Sequence, residues 1–210
     1  RMVSSHIWTA MTIREGLSWA REVLQEACER PAFEAEMLLA FHLEKDRTYL
    51  IMHDMQNIVN VDAFQKLIQR RAAHEPYEYI VGSASFYDIH LDVEPGVLIP
   101  RPETEILIDL VAEIIESENI TKIAEIGVGS GAISIVLARK FPQLHIIATD
   151  ICDTPLKVAG KNIETFGLSK QIELCKSNLL DEVVENVELV VSNPPYIAED
   201  FLLESNVIDY

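Results

Sequence analysis

The first third of the sequence repeats apolar residues at helical spacing. Thr12 and Glu15 form the capping-box pattern of a helix start, and apolar residues recur every three or four positions after it. Pro31 opens a second helix, whose spacing predicts one apolar face made of Phe33, Met37, Leu38 and Phe41. Further short helices are predicted over 46–53 and 61–73. Because such helices bury their apolar faces only against each other, we predict a small all-α bundle.

The period changes after residue 83. Within residues 84–93, apolar and polar side chains alternate after Tyr87, and Asp88 is a candidate turn residue, which predicts a β-hairpin. A helix follows over about 103–117. Strands and helices then alternate: strand 122–127, helix 131–140, strand 145–150, helix 154–166, strand 171–175 and strand 187–192. This order predicts an α/β fold with a parallel sheet and crossover helices. We therefore expect three parts: a helical bundle (1–83), a hairpin linker (84–97) and an α/β domain (98–210).

The charge of the chain argues against general nucleic-acid binding. The 210 residues include 17 Lys and Arg against 34 Asp and Glu, a net charge of −17. Residues 1–90 carry 9 basic and 13 acidic side chains, whereas residues 91–210 carry 8 and 21. A phosphate backbone would therefore meet like charge, most strongly on the α/β part.

Cysteine, histidine and hydropathy patterns predict a reduced, cytoplasmic protein without a metal. The three cysteines (Cys28, Cys152 and Cys175) form no CxxC pair, and the six histidines form no metal-ligand pair. The uncharged run over 126–138 has 13 residues, fewer than the ~20 that span a bilayer. No basic and apolar leader opens the sequence, so we expect neither secretion nor a membrane.

A glycine-rich turn follows the strand at 122–127. Glycines at 127, 129 and 131, with Val128 and Ser130 between them, let the backbone approach a ligand closely at the start of a helix. Nicotinamide and flavin sites use GxGxxG, whereas this GxGxG run resembles the first motif of S-adenosylmethionine-dependent methyltransferases. Asp150 lies at the end of the next strand, 19 residues after Gly131. A carboxylate at this position can accept hydrogen bonds from both hydroxyls of an adenosine ribose. A competing role for Asp150 is to cap the following helix, although Asp153 or Thr154 would serve there.

The strand at 187–192 runs into Asn193-Pro194-Pro195-Tyr196. Two prolines remove two N–H donors and leave carbonyls without local partners, and Asn193 adds a side-chain acceptor. Two acceptors on the N–H bonds of a planar nitrogen would fix its orientation and favour the positive charge that develops on it. Tyr196 would stack on the flat group. This pattern predicts methyl transfer to an amide or aromatic amine, provided that Gly129 and Asn193 share one cleft.

The glycine run, the NPPY motif and the stretch Leu98-Ile-Pro-Arg-Pro-Glu-Thr-Glu105 together resemble the HemK family of protein-glutamine N5-methyltransferases. The resemblance covers nearly the whole chain and implies a Rossmann-like class I methyltransferase sheet behind a helical bundle and a hairpin. It implies S-adenosylmethionine as cofactor, S-adenosylhomocysteine as product, and the GGQ glutamine of peptide chain release factors as substrate. The implied cofactor residues are Gly127, Val128, Gly129, Ser130, Gly131, Asp150, Asn178, Leu179 and Asn193. The implied catalytic residues are Asn193, Pro194 and Tyr196, and the substrate-binding residues are Arg101, Asn193, Pro194, Pro195 and Tyr196.

Two departures from the family pattern carry expectations. Asn178 stands where the family frequently has Asp, so we expect weaker rather than absent cofactor binding. Only 14 residues follow Tyr196, and four of the family's seven strands are predicted, so we expect a sheet that is incomplete at its C-terminal side. Two alternatives stay open: methylation of an exocyclic amine in DNA or rRNA, and, for a truncated chain, a non-catalytic module that binds cofactor or partner.

Overall fold

The structure, a computed structural model, describes residues 10–194, which fold as two compact units divided between Val81 and Gly82. The first unit contains five helices among the described residues: α1 (Ile13–Val23), α2 (Pro31–Leu43), α3 (Arg47–Met52), α4 (Val61–Ala72) and α5 (Tyr77–Val81). The first four confirm the predicted helices. The fifth has five residues, too few for an apolar spacing to repeat, so the pattern did not predict it.

The start of α1 confirms the predicted capping box. The Glu15 N–H donates to Thr12 Oγ1 at 3.3 Å, and the Thr12 N–H donates to Glu15 Oε2 at 2.8 Å. These bonds satisfy backbone donors that a helix start leaves without partners. The helix then buries Ile13 and Ala20, and its C-cap residue Leu24 is buried in the same core, which also contains Phe64 of α4.

The predicted apolar face of α2 is wrong in part. Leu38 is fully buried as predicted, but Phe41 is 45% exposed. The buried positions of the helix are Ala35, Leu38, Leu39 and Ala40. Phe33 is half-buried, with the guanidinium groups of Arg30 and Arg47 at 4.2 and 4.9 Å from its ring centroid. Helix α2 itself carries apolar residues on nearly every side. Its buried face is therefore determined by packing against neighbouring helices and does not follow from the periodicity of its sequence.

The second unit is a parallel sheet with helices, preceded by a hairpin. Its elements are β1 (Ser83–Phe86), β2 (Ile89–Asp92), α6 (Glu103–Glu118), β3 (Lys122–Ile126), α7 (Ala132–Lys140), β4 (His145–Asp150), α8 (Asp153–Thr165), β5 (Ile172–Lys176) and β6 (Leu189–Ser192). The hairpin strands pair antiparallel, and the four remaining strands form one sheet in the order β5-β4-β3-β6 with every pair parallel. The predicted hairpin and parallel sheet are confirmed. Within residues 10–194, β5 and β6 are the edge strands.

The sheet brings the carboxyl ends of three strands together. Strands β3, β4 and β6 run parallel, and in register Ile126 lies beside Thr149 on one side and Ser192 on the other. The Ser192 hydroxyl donates to the Ile126 carbonyl at 3.0 Å, which ties the ends of β6 and β3 together. The segments that follow these strands therefore emerge side by side, where open α/β sheets bind ligands.

A buried asparagine links the hairpin to the glycine-rich turn. Asn162 of α8 is 2% exposed. Its Nδ2 donates to the carbonyls of Asp92 and Ser130 at 3.0 and 2.8 Å, and its Oδ1 accepts from the Asp92 N–H at 2.9 Å. This one side chain satisfies three backbone groups and fixes β2, the glycine turn and α8 relative to each other.

Candidate active site

The glycine turn adopts backbone conformations that side chains disfavour. Gly127, Gly129 and Gly131 have φ angles of +76°, +55° and +84°. A Cβ placed on Gly127 or Gly129 would meet no atom within 4 Å, whereas one on Gly131 would lie 3.2 Å from Ile135 Cδ1. The first two glycines thus leave open space above the turn, and the third lets α7 pack closely.

Asp150 lies against this turn. Its Oδ2 is 3.4 Å from the Gly129 nitrogen, and its Oδ1 accepts from the Cys152 N–H at 3.0 Å. Cys152 is the N-cap of α8, and no side chain caps that helix start, so Asp150 does not serve as the helix cap. The carboxylate is therefore held at the end of β4 beside the open space of the glycine turn.

Asn193 and the glycine turn line the same cleft. The lining residues are Leu98, Pro100, Thr104, Glu125, Gly127, Val128, Gly129, Ser130, Ala132, Ile133 and Asn193. The arrangement that the sequence interpretation requires is therefore present. The Asn193 amide is half-buried, and its Nδ2 donates to Thr104 Oγ1 at 3.1 Å. Pro194 is exposed, and Pro195 and Tyr196 lie outside the described residues.

Asn178 and Leu179 lie next to the end of β4 and do not line this cleft. Leu179 has a φ of +53° and is 60% exposed, and its carbonyl accepts from the hydroxyl of the buried Thr149 at 3.0 Å. Asn178 Nδ2 donates to Asp181 Oδ2 at 3.3 Å. The two residues therefore follow β5 in the chain, and Leu179 is held at the end of β4 by its bond from Thr149.

Arg101 is exposed and lies beside the cleft without lining it. Its neighbours Pro100 and Thr104 do line it. The same stretch, quoted above for the family resemblance, thus contributes a wall of the cleft through Leu98, Pro100 and Thr104. The sequence analysis assigned no role to Thr104. The helical spacing of α6 places this threonine on the buried side of the helix, and that pattern could have pointed to it.

Glu125 is the second residue that sequence reasoning did not place in the site. It is 1% exposed and accepts hydrogen bonds at Oε2 from the Ser134 N–H at 3.0 Å and from the Ser134 hydroxyl. Burial raises the pKa of its carboxyl to about 8, the bonds from Ser134 oppose part of that rise, and the charge of Asp150 adds to it. The cleft floor therefore holds a carboxyl that is protonated at neutral pH, next to the turn.

The residues around the cleft fit an adenosine cofactor that has no pyrophosphate. Two glycines leave space that a Cβ would fill, and a carboxylate stands at the neighbouring strand end to meet ribose hydroxyls. Among residues 10–194, no group of three or more His, Cys, Asp or Glu side chains is arranged to hold a metal ion. In that same part of the chain, no helix has the length and apolar character needed to cross a bilayer.

Comparisons with known proteins agree with this geometry. Residues 15–82 match the PrmC N-terminal domain, and residues 103–207 match the methyltransferase small domain. A release factor glutamine methyltransferase of Dictyoglomus turgidum is 44% identical over 193 residues, which cover 90% of this chain and 68% of that protein. One from Koribacter versatilis is 36% identical over 194 residues, covering 90% of this chain and 69% of that protein.

Among solved structures, the ribosomal protein L11 methylase of Lactobacillus delbrueckii subsp. bulgaricus has a TM-score of 0.42 and 30% identity, covering 49% of this chain and 51% of that one. The parallel sheet, its glycine turn and the methyltransferase small domain define a class I methyltransferase that uses S-adenosylmethionine. The chain belongs to the release factor glutamine methyltransferase family, because its match to a 44% identical member covers more than two thirds of that member.

Proposed function

We propose that this protein transfers a methyl group from S-adenosylmethionine to the N5 side-chain nitrogen of the glutamine in the GGQ motif of peptide chain release factors. The observation that carries the proposal is the shared cleft of the glycine turn and Asn193. Family membership supports the same reaction, since the relatives are named for it. We also propose a cytoplasmic location, because release factors act there.

The chemistry needs orientation more than a strong base. An amide nitrogen is a weak nucleophile, because its lone pair is delocalised into the carbonyl. S-adenosylmethionine, when bound, supplies a methyl group already activated by its sulfonium. The Asn193 side-chain oxygen and the Pro194 carbonyl would accept hydrogen bonds from the two N–H groups of the substrate amide. These bonds would hold the amide nitrogen in the orientation that attack on the methyl group requires. Tyr196, by the family resemblance, would stack on the amide plane.

The remaining predicted site residues have proposed roles of their own. The turn from Gly127 to Gly131 would carry the cofactor, and Asp150 would accept from the ribose hydroxyls. Asn178 and Leu179 would lie by the adenine, and Arg101 and Pro195 would contact the substrate. The helical bundle, predicted over 1–83, would help to bind the release factor.

Nucleic acid is the weaker candidate substrate. An exocyclic amine of DNA or rRNA has the same planar nitrogen, so the NPPY motif alone does not separate the two. The excess of 21 acidic over 8 basic side chains in residues 91–210 opposes a phosphate backbone. A non-catalytic module would bind the cofactor and transfer nothing.

Transfer of a radiolabelled methyl group separates these possibilities. The substrates are a release factor, the same factor with GGQ changed to GGA, and total rRNA. We expect label on the first alone. Equal label on the GGQ and GGA proteins would refute the glutamine assignment, label on rRNA would favour the nucleic-acid alternative, and label on none, with S-adenosylmethionine still bound, would favour the non-catalytic module.

A further inference from the structure

The buried side chain of Asn162 joins two parts of the candidate cofactor cleft. It extends from α8 and bonds to the backbone of the glycine turn at Ser130 and to the backbone of the hairpin at Asp92. We propose that Asn162 is a positioning residue for the cofactor, which holds the glycine turn in the shape that binds S-adenosylmethionine. This inference rests on the proposed role of the turn in holding the cofactor, and it applies whichever nitrogen accepts the methyl group.

The partners of Asn162 allow its amide only one orientation. The carbonyls of Ser130 and Asp92 can only accept, so they face the side-chain NH₂ group, at 2.8 and 3.0 Å from its nitrogen. The Asp92 N–H can only donate, so it faces the side-chain oxygen, at 2.9 Å. A flipped amide would place acceptors against an acceptor and a donor against a donor. The amide of Asn162 therefore fixes the direction of all three backbone groups.

The bond to Ser130 restrains the peptide group between Ser130 and Gly131. The oxygen of this peptide accepts from Asn162, and its N–H donates to the Val128 carbonyl at 2.8 Å. Glycine adopts many backbone conformations, so the sequence of the turn does not by itself hold the peptide in this direction. Ser130 is 3% exposed, so without Asn162 its carbonyl would be buried and would lose this bond. Rotation of the peptide would relieve that cost and change the shape of the turn.

The same amide also fixes the segment that leads into the cleft wall. Asp92 ends β2, and both its N–H and its carbonyl bond to Asn162. Val93 and Val97 of the following segment are buried, and Leu98 then lines the cleft opposite no break in the chain. One side chain thus connects the backbone of the turn with the backbone that carries the wall. Because both are ordered before the cofactor arrives, the free energy of ordering them is not subtracted from binding.

The test measures the dissociation constant of S-adenosylmethionine by calorimetry in Asn162→Ala and in Asn162→Asp. The second variant keeps the shape and the acceptor for the Asp92 N–H, and it replaces the NH₂ donors with an oxygen. The matched control is Gln171→Ala. Gln171 directly precedes β5, at the opposite end of the sheet from the glycine turn. Its side-chain nitrogen also bonds to backbone carbonyls, those of Ala138, Phe141, Pro142 and Leu144.

We expect each Asn162 variant to raise this dissociation constant about 10-fold, because the turn relaxes in the free protein and binding must reverse the change. Gln171→Ala should leave the dissociation constant unchanged. All variants are compared without urea, after urea titration has shown that each is folded there, so that lost stability is not read as lost affinity. In turnover with a release factor, the KM for S-adenosylmethionine should rise in the Asn162 variants. Their kcat at saturating cofactor should not change, because Asn162 does not line the cleft.

The turn can also be observed without cofactor or turnover. The N–H groups of Val128 and Gly131 are hydrogen-bonded within the protein. In ligand-free protein they should exchange with solvent faster in Asn162→Ala than in the wild type, and Gln171→Ala should not accelerate them. Unchanged affinity in both Asn162 variants, an equal loss of affinity in Gln171→Ala, or unchanged exchange would overturn the proposal. A wild type that binds S-adenosylmethionine but leaves release factors unlabelled would refute the proposed function and leave this proposal standing.

Discussion

The buried carboxyl of Glu125 should make the stability of the methyltransferase unit fall as the pH rises. Burial raises the pKa of this group from its ordinary value of 4.5 to about 8, despite the opposing hydrogen bonds from Ser134. Glu125→Gln keeps the shape and an oxygen that can accept from Ser134, and it cannot ionise. We therefore predict that the variant lacks a pH-dependent loss of stability that the wild type shows.

The sign and size follow from the two pKa values. Below pH 4.5 the carboxyl is protonated in both folded and unfolded chains, and stability from this group is fully present. As the pH rises towards 8, the unfolded chain releases the proton more readily than the folded one, so this stability is lost. At ~1.4 kcal/mol per pKa unit, the loss between about pH 5.5 and about pH 8 is roughly 3 kcal/mol.

The measurement is urea unfolding of both proteins at those two pH values. Far-UV circular dichroism follows the methyltransferase unit together with the helical unit. In a Trp8→Phe background, tryptophan fluorescence reports on the helical unit through Trp19 of α1, and it serves as the internal control. We expect the free energy of unfolding to fall by about 3 kcal/mol more in the wild type than in Glu125→Gln. Equal losses in the two proteins would refute the raised pKa.

Two further substitutions test the turn and its support. Gly129→Ala and Gly167→Ala place a Cβ at similar φ angles, +55° and +69°, with no atom within 4 Å, so each should cost ~1–2 kcal/mol of stability. Only Gly129→Ala should also weaken the binding of S-adenosylmethionine, by more than ~10-fold in calorimetry, since ~1.4 kcal/mol of lost contact is a factor of ten. Equal affinities of the two variants for S-adenosylmethionine would contradict the cofactor assignment. Asn162→Ala leaves backbone groups of Asp92 and Ser130 without their partner and should cost about 3 kcal/mol in urea unfolding, whereas a loss near zero would show that the site relaxes.

The sequence predicted the elements whose patterns are local. Strand β4 covers residues 145–150 as predicted, and the capping box at Thr12 is present, because both depend on neighbours within a few positions. The face of α2 was predicted wrongly, because an apolar residue such as Phe41 looks the same to a periodic pattern whether it faces the core or solvent. Its exposure depends on which helices pack against α2, and that information lies in distant residues.

The same limit applies to the candidate site. The glycine turn and Asn193 were predicted to share a cleft, because parallel strands deliver their ends to one edge of the sheet. Thr104 lies 89 positions before Asn193, and no local pattern joins them. Glu125 was visible in the sequence as an acid before the turn, but its raised pKa comes from burial beneath α7, which a strand pattern does not specify.

The internal bonds of the glycine turn indicate how it would select its ligand. The N–H groups of Gly127 and Val128 both donate to the Thr149 carbonyl at 2.9 Å, and the Gly129 nitrogen lies 3.4 Å from an Asp150 oxygen. A phosphate cradle needs such N–H groups directed at the ligand, and here they are used within the protein. The turn therefore contributes shape rather than donors, which suits a cofactor without a pyrophosphate and predicts that added bulk, more than added charge, disrupts binding.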